Sequence, residues 1–140
     1  MDRLALSGAH FGGRGTVSAA AAIVQGLRQT KVQRCGFSGL MLPVLEDSIL
    51  ARRSVDGSFG IDDLLLCSAV CGLGLDTVPL PGDTSVEALA DIVGEIATLA
   101  VQLDKPLTAR LFPVPGKAAG DMTTFDFSYF ANGRVLSVES

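Results

Sequence analysis

The most regular pattern of apolar and polar residues lies between positions 75 and 112, where it predicts a strand, a long helix and a second strand. Residues 75–80 form an apolar run that Pro81-Gly82 ends, and residues 107–112 form another. Thr84 and Glu87 have the spacing of a capping box at the start of the intervening helix. Apolar side chains recur at helical spacing up to about position 103, namely Val86, Leu89, Val93, Ile96 and Ala100. This pattern predicts a βαβ unit with parallel strands and a right-handed crossover.

The remaining pattern also alternates between predicted strands and helices, which indicates the α/β class. Helices are predicted at 17–29, with Thr16 as its cap, at 48–53, and at 61–70, where the segment is nearly apolar all round and should be buried. Further strands are predicted at 4–6, 31–37, 40–45, 123–129 and 134–138. Asn132-Gly133 favours a hairpin between the last two.

Composition excludes a disordered chain, since 48% of the residues are apolar and 19% are charged. The length of 140 residues fits one α/β domain, residues 1–140. The net charge of −4 argues against nucleic acid and anionic membranes as partners. The mean hydropathy of +0.42 is high for a small domain. We therefore expect part of the surface to be covered, in a homo-oligomer or by a complementary chain.

The cysteines and the N-terminal segment indicate a cytoplasmic protein. Cys35, Cys67 and Cys71 are an odd number, and no long apolar stretch follows the first charged residues as in a secretory signal. The longest apolar windows are also too short to span a membrane. We therefore expect reduced thiols and no membrane partner.

Three predicted strands end in polar loops. Glu46 and Asp47 follow strand 40–45, Asp83 follows strand 75–80, and Lys117 and Asp121 follow strand 107–112. Because ligands of parallel sheets bind beyond the carboxyl ends of the strands, we expect these loops to converge on one small-molecule site. Lys117, Asp121 and Arg110 would bind an anionic ligand, with Glu46, Asp47 or Asp83 as acid/base groups or as ligands of a divalent cation. Apart from such a cation, the sequence indicates no particular cofactor.

Each of these side chains also has a structural interpretation. Asp83 has the position of a helix cap, the Glu46–Asp47 pair can be solvated, and Lys117 can be an exposed loop lysine. Arg110 lies in an apolar strand and requires a carboxylate partner, which Asp83 or Glu46 can supply. That ion pair would either fix the fold or clamp a substrate.

A glycine-rich loop and a cysteine add two further candidates. Residues 8–16 precede a helix, so the amides near Gly13, with Arg14, offer a site for an anion, although the motif lacks the Gly-Lys-Ser/Thr ending of a phosphate loop. Cys71 lies at a predicted helix end, where it would act as a nucleophile only with a base nearby, and His10 is the single histidine. The three cysteines lack metal-site spacing, which favours buried thiols.

Three long segments carry a resemblance to a known family: GFSGLMLPVLED at 36–47, AVCGLGLDTVPLPGDT at 69–84 and KPLTARLFPVPGKAAGD at 105–121. With FGGRGT at 11–16 and FDFSYF at 125–130, they resemble the C-terminal part of the family called domain of unknown function 711. The resemblance implies part of a barrel like that of pyruvate formate-lyase, with parallel strands and outer helices, in substantially longer proteins. It implies no settled activity. The matching motif positions are Glu46, Asp47, Cys71, Asp76, Asp83, Arg110, Lys117 and Asp121.

Two hypotheses from different classes follow. The first is a cytoplasmic small-molecule enzyme with its site at the carboxyl ends of the strands. The second is a non-catalytic module for ligand sensing or assembly, or a shortened relative that has lost its activity. A third hypothesis is thiol chemistry at Cys71. No glycyl-radical consensus is found, so the barrel resemblance supplies no radical chemistry.

Overall fold

The computed structural model describes residues 10–139 and shows a mixed α/β fold. In chain order its elements are helix α1 (Thr16–Gln29), helix α2 (Ser48–Val55), helix α3 (Ile61–Cys71), strand β1 (Gly74–Pro81), helix α4 (Val86–Leu103) and strand β2 (Thr108–Val114). The predicted βαβ unit is confirmed, since β1 and β2 pair in parallel and α4 connects them. The helices predicted at 17–29, 48–53 and 61–70 correspond to α1, α2 and α3.

The sheet of the described residues has two strands, and β1 has backbone hydrogen-bond partners on both of its edges. On one side it pairs with β2, from Gly74 opposite Thr108 to Pro81 opposite Val114. On the other side Pro43 forms an isolated parallel bridge to Asp76, and the Leu136 amide donates to the Pro79 carbonyl at 2.9 Å. All residues of β1 are buried, whereas β2 leaves Ala109 and Arg110 exposed.

The register between the strands shifts between Leu75 and Val78, so that Asp76 and Thr77 both lie opposite Arg110. An extra residue of this kind is a β-bulge, which bends the strand and redirects the side chains beside it. Thr77 takes a left-handed conformation with φ 48°, which is rare for a β-branched residue. The bulge therefore fixes where Asp76 and Thr77 point.

The core lies between the sheet and helices α3 and α4. Leu75, Val78 and Leu80 of β1 pack with Leu64 and Cys67 of α3. Leu111 of β2 joins this cluster, as do Leu89, Ile92, Ile96 and Leu99 of α4. Because side chains alternate along a strand, Arg110 and Phe112 lie on the opposite face of β2, away from the helices.

Helix α4 turns only part of its apolar surface toward this core. Ile96 is buried, but Val86 and Val93, two residues of the predicted apolar face, are exposed, and so is Val101. The sequence prediction of one apolar face was wrong at these positions, because α4 carries apolar side chains on its outer face as well.

Both predicted helix caps were displaced by one residue. The side chain of Ser85 caps α4 by accepting from the Ala88 amide at 3.1 Å, whereas Thr84 donates to the Pro81 carbonyl at 2.7 Å. The N-cap of α1 is Gly15, whose φ of 94° suits glycine, and Thr16 is the first helical residue.

Several predicted strands do not form within residues 10–139. Residues 31–37 have no strand, and residues 40–45 contribute only the Pro43 bridge. The tail contains a single antiparallel bridge, Met122 to Arg134, in place of a hairpin of two strands. The strand predicted at 4–6 lies outside the described residues. In the described part of the chain, no helix is both long and apolar enough to span a membrane.

Candidate functional site

An ion network occupies the bulge of β1. The Asp76 side chain is only 2% exposed, and its Oδ1 accepts a hydrogen bond from Nε of Arg110. Nη2 of the same guanidinium donates to both carboxylate oxygens of Glu46 at 3.1 Å. These contacts raise the pKa of Arg110, the hydrogen bond to Asp76 most strongly and that to Glu46 less. The carboxylate partner that Arg110 was expected to need is thus Glu46 together with Asp76, and not Asp83.

Backbone geometry supports this network from the neighbouring segment. The Val44 amide donates to the Asp76 carbonyl at 3.0 Å, and the Leu45 amide donates to Oγ1 of the buried Thr77 at 3.1 Å. A β-branched residue in the left-handed region costs on the order of 1–3 kcal/mol, and such strain is concentrated at functional sites. The bulge, the strain and the buried carboxylate therefore mark this part of the sheet as a candidate site.

A second group of predicted residues meets at the carboxyl ends of β1 and β2. Gly82, Asp83, Pro115, Gly116, Lys117, Ala118 and Asp121 line an open cavity of about 470 Å³. The Gly82 amide donates to the Lys117 carbonyl at 2.9 Å, which joins the two loops. A Cβ at Gly82 would lie 2.4 Å from the Val114 carbonyl oxygen, so this approach requires glycine.

The charged side chains of this cavity differ in whether they form hydrogen bonds with the rest of the protein. Oδ2 of Asp121 accepts from the Ala118 amide at 2.8 Å, which orders its loop. Within residues 10–139, neither the ammonium of Lys117 nor the carboxylate of Asp83 forms an ion pair or a side-chain hydrogen bond. Both groups are therefore available to a molecule that enters the cavity. Asp83 is not the cap of α4, because Ser85 has that role.

The structure divides the predicted site into two groups. Lys117, Asp83 and Asp121 line the cavity, whereas Glu46 and Arg110 lie beside the middle of β1. From Asp76 to Gly82 the strand rises by roughly 20 Å. Asp47 belongs to neither group, since its Oδ1 accepts from the amides of Ile49 and Leu50 at 2.8 and 2.9 Å and caps α2. The prediction that all three loops converge on one site was therefore wrong for Glu46 and Asp47.

The glycine-rich loop packs against the protein and uses its own donors. Phe11 is buried edge-to-face on Phe59 with ring centroids 5.0 Å apart. The Gly12 amide donates to Thr16 Oγ1 and the Gly13 amide to the His10 carbonyl, at 3.1 and 2.9 Å. Gly13 and Arg14 do not line the Lys117 cavity. The geometry therefore does not favour the anion site predicted here.

Cys71 has the opposite of the environment that a nucleophilic thiol needs. It is buried at the end of α3, and burial raises the pKa of its thiol. Burial, together with the charges of Cys71 and Asp63, also raises the pKa of Cys67, to about 11. Among the described residues, no group of three or more His, Cys, Asp or Glu side chains is placed to hold a metal ion.

Comparison with known protein families identifies the chain. The family model described as "Uncharacterised ACR (DUF711)" matches residues 4–128. The chain belongs to the DUF711 family. It is 45% identical over 86 residues to a UPF0210 protein of Pyrobaculum aerophilum, which is 61% of this chain and 19% of that protein. A UPF0210 protein of Clostridium beijerinckii is 32% identical over 118 residues, which is 81% of this chain and 26% of that protein.

This DUF711 chain therefore spans about a fifth to a quarter of the length of the curated relatives it matches. A UPF0210 protein of Desulforudis audaxviator is 43% identical over 90 residues, which is 64% of this chain and 20% of that protein. Comparison with solved structures finds no match.

Two features of this structure were assigned no functional role in the sequence analysis. Asp76 is the only charged residue of β1 and Arg110 the only one of β2, a signal that could have paired them. The second feature, the ring cluster, comprises Phe112, Phe125, Phe127, Tyr129 and Phe130, whose ring contacts have centroid distances of 5.0–6.4 Å. The FDFSYF segment indicates this ring cluster in the sequence, although the residue pattern predicted a strand there.

Proposed function

We propose that the DUF711 chain contributes to a cytoplasmic small-molecule enzyme that binds an anionic ligand at the carboxyl ends of β1 and β2. The observation that carries this proposal is the cavity where the two loops meet, with an ammonium and a carboxylate that the described residues do not pair. Parallel α/β sheets bind ligands at this end of their strands.

The roles follow from the chemistry of each group. Lys117 supplies positive charge to a carboxylate or phosphate of the ligand. Asp83 acts as an acid/base group on the bound molecule. Asp121 keeps the loop in place through the Ala118 amide.

We propose further that the sheet continues into a barrel like that of pyruvate formate-lyase, with α3 and α4 among its outer helices. In the described part of the chain, β2 pairs with a strand only on its β1 side, so its other edge is open to a further strand. The relatives contain several times more chain, and the mean hydropathy of +0.42 is consistent with surfaces that become covered. A homo-oligomer or a complementary chain would complete the fold.

The binding proposal is tested by titrating the protein with inorganic phosphate and with malonate, using calorimetry. Lys117→Ala should weaken binding of the better probe at least tenfold, whereas Lys31→Ala, at an exposed lysine outside the cavity, should leave it unchanged. Asp83→Asn should retain or strengthen anion binding because it removes a negative charge. Equal binding by the wild type and Lys117→Ala would reject the site. Native mass spectrometry of the untagged protein would show retained ligands and the subunit number.

A second function, a non-catalytic assembly module, is favoured by α4. Val86 and Val101 are 76% and 77% exposed, and Val93 also faces outward, so this helix presents an apolar surface that suits another protein surface. Sedimentation of the wild type and of Val93→Lys separates the two functions. A stable assembly that Val93→Lys dissociates, in a protein that binds neither probe anion, would support the module.

A further inference from the structure

A second cavity, the Arg134 cavity, is lined by the start of α3, one face of α4 and the C-terminal tail from Arg134 onward. Its volume is about 470 Å³, and it shares no lining residue with the Lys117 cavity. Six apolar residues line it, and all of them belong to the core cluster or pack against it, namely Phe59, Ile61, Leu65, Ile92, Leu136 and Val138. The cavity therefore has an apolar wall that suits the hydrocarbon part of a ligand.

The guanidinium of Arg134 packs against two glycines that also line this cavity. A Cβ at Gly57 would lie 2.9 Å from its Nη1, and a Cβ at Gly120 would lie 3.6 Å from its Nη2. Both glycines have positive φ angles, 66° and 93°, so side chains are disfavoured there. The Arg134 amide donates to Oγ of the buried Ser54 at 2.9 Å, which fixes the backbone. The guanidinium therefore has a defined position at the cavity wall.

Carboxylates line the same cavity without pairing with this guanidinium. Five of them are present, Asp62, Asp63, Asp91, Glu95 and Glu139. Within residues 10–139, Arg134 forms no ion pair and its side chain forms no hydrogen bond. Oδ2 of Asp63 accepts from the Gly60 amide at 2.8 Å, which fixes this carboxylate at the start of α3. Opposite charges that face one cavity without meeting leave space for a ligand that contacts both.

The spacing of the two fixed groups matches a small zwitterion. Arg134 packs on Gly57 and Asp63 binds the Gly60 amide, and three residues of chain span at most roughly 11 Å. In an α-amino acid, two bonds of about 1.5 Å separate the ammonium nitrogen from the carboxyl carbon. With a charge-assisted contact of about 2.8 Å at each end, such a molecule covers roughly 8 Å.

We propose that the Arg134 cavity binds an α-amino acid with an apolar side chain. The carboxylate of the ligand contacts Arg134, its ammonium contacts Asp63, and its side chain lies on the apolar wall. The five carboxylates disfavour a phosphate or a dicarboxylate, and the guanidinium disfavours a simple amine. This ligand differs from the anion proposed for the Lys117 cavity, so the two proposals can fail independently.

The need for both charges is tested by calorimetric titration of the protein with L-leucine, 4-methylpentanoate and 3-methylbutylamine. The two analogues keep the apolar group and lack the ammonium or the carboxylate. Leucine should bind at least tenfold more tightly than either analogue, and at least tenfold more tightly than glycine, which lacks the apolar group. A carboxylate bound at Lys117 needs no ammonium, so binding there would make 4-methylpentanoate equal to leucine. Equal binding of either analogue, or no binding of leucine, would overturn the proposal.

Variants locate the two charges. Arg134→Met should weaken leucine binding at least tenfold and leave 3-methylbutylamine unchanged. Asp63→Asn keeps an oxygen for the Gly60 amide and should weaken leucine binding about three- to tenfold. Arg52→Met and Glu87→Gln, at exposed residues outside the cavity, are the matched controls and should bind leucine as the wild type does. Leucine affinity of Arg134→Met equal to that of Arg52→Met would reject the site. If Arg134→Met does not fold, the probe comparison on the wild type decides.

Discussion

Asp76 and Arg110 face each other across the bulge in β1, and each is the only charged residue of its strand. Their unequal burial decides what the pair contributes. The carboxylate is almost completely removed from water, whereas the Arg110 side chain is 49% exposed. The main role of the guanidinium is therefore to offset the free-energy cost of burying the Asp76 carboxylate, since a buried charge without a partner is strongly unfavourable.

We expect Arg110→Met to lower the free energy of unfolding by about 2–4 kcal/mol, below the largest losses for buried pairs because Arg110 is half exposed. Adding Asp76→Asn should recover part of this loss, since the orphaned charge is removed. Urea denaturation measures both effects. Arg52→Met, at an exposed arginine of α2, is the control and should change stability little. A loss at Arg110 no larger than at Arg52 would contradict the role given to Asp76.

Thr77 offers a separate test of the bulge. Thr77→Val keeps the branched shape but leaves the Leu45 amide without its acceptor, so we expect a loss of about 1–3 kcal/mol. Thr77→Ser keeps the hydroxyl and should lie closer to the wild type. Thermal and urea denaturation compare the two, and a more stable valine variant would show that this hydrogen bond is unimportant.

Two glycines should respond to alanine in opposite directions. Gly94 lies inside α4 with open space around its Cβ position, so Gly94→Ala should stabilise the protein by about 1 kcal/mol. Gly82→Ala should destabilise it and separate the two loops of the Lys117 cavity, because the new Cβ would overlap the Val114 carbonyl. Melting temperatures give the signs. A stabilised Gly82→Ala variant would mean that the loop contact is not tight in solution.

Cys67 should make stability depend on pH in the alkaline range. Its pKa is about 11 in the folded protein against an ordinary value of 9.0, so the unfolded chain loses this proton first. The stabilisation is complete below about pH 9 and is lost as the pH rises toward 11. Between about pH 8 and about pH 10.5, the wild type should lose about 2 kcal/mol more than Cys67→Ala in urea denaturation. Lysine titration is common to both proteins, so parallel pH curves would disprove the effect.

The sequence was most informative where structure is set by near neighbours. The βαβ unit followed from helical spacing and from the Pro-Gly and Lys-Pro breaks, which act locally. The α4 cap was harder to place because Asp83, Thr84 and Ser85 are consecutive cap-forming residues, and the choice depends on where the backbone enters the helix.

The position of Glu46 could not be predicted because it depends on long-range register. The bridge from Pro43 to Asp76 places Glu46 beside the middle of β1, and one-sequence alternation does not fix which residue pairs with which. Residues 31–37 have strand-like composition, but the described chain offers them no strand to pair with, so composition alone was misleading.

The enclosure of β1 determines how deuterium from the solvent reaches its amides. Strand β2 covers one edge of β1, the segments around Pro43 and Leu136 bond to the other, and both faces are buried. Local fraying therefore cannot expose the amides of Val78 and Leu80, and their exchange requires the whole unit to open. Residues 31–38, exposed along their length, exchange without that opening. The slowest protons of β1 thus report the stability of the entire βαβ unit.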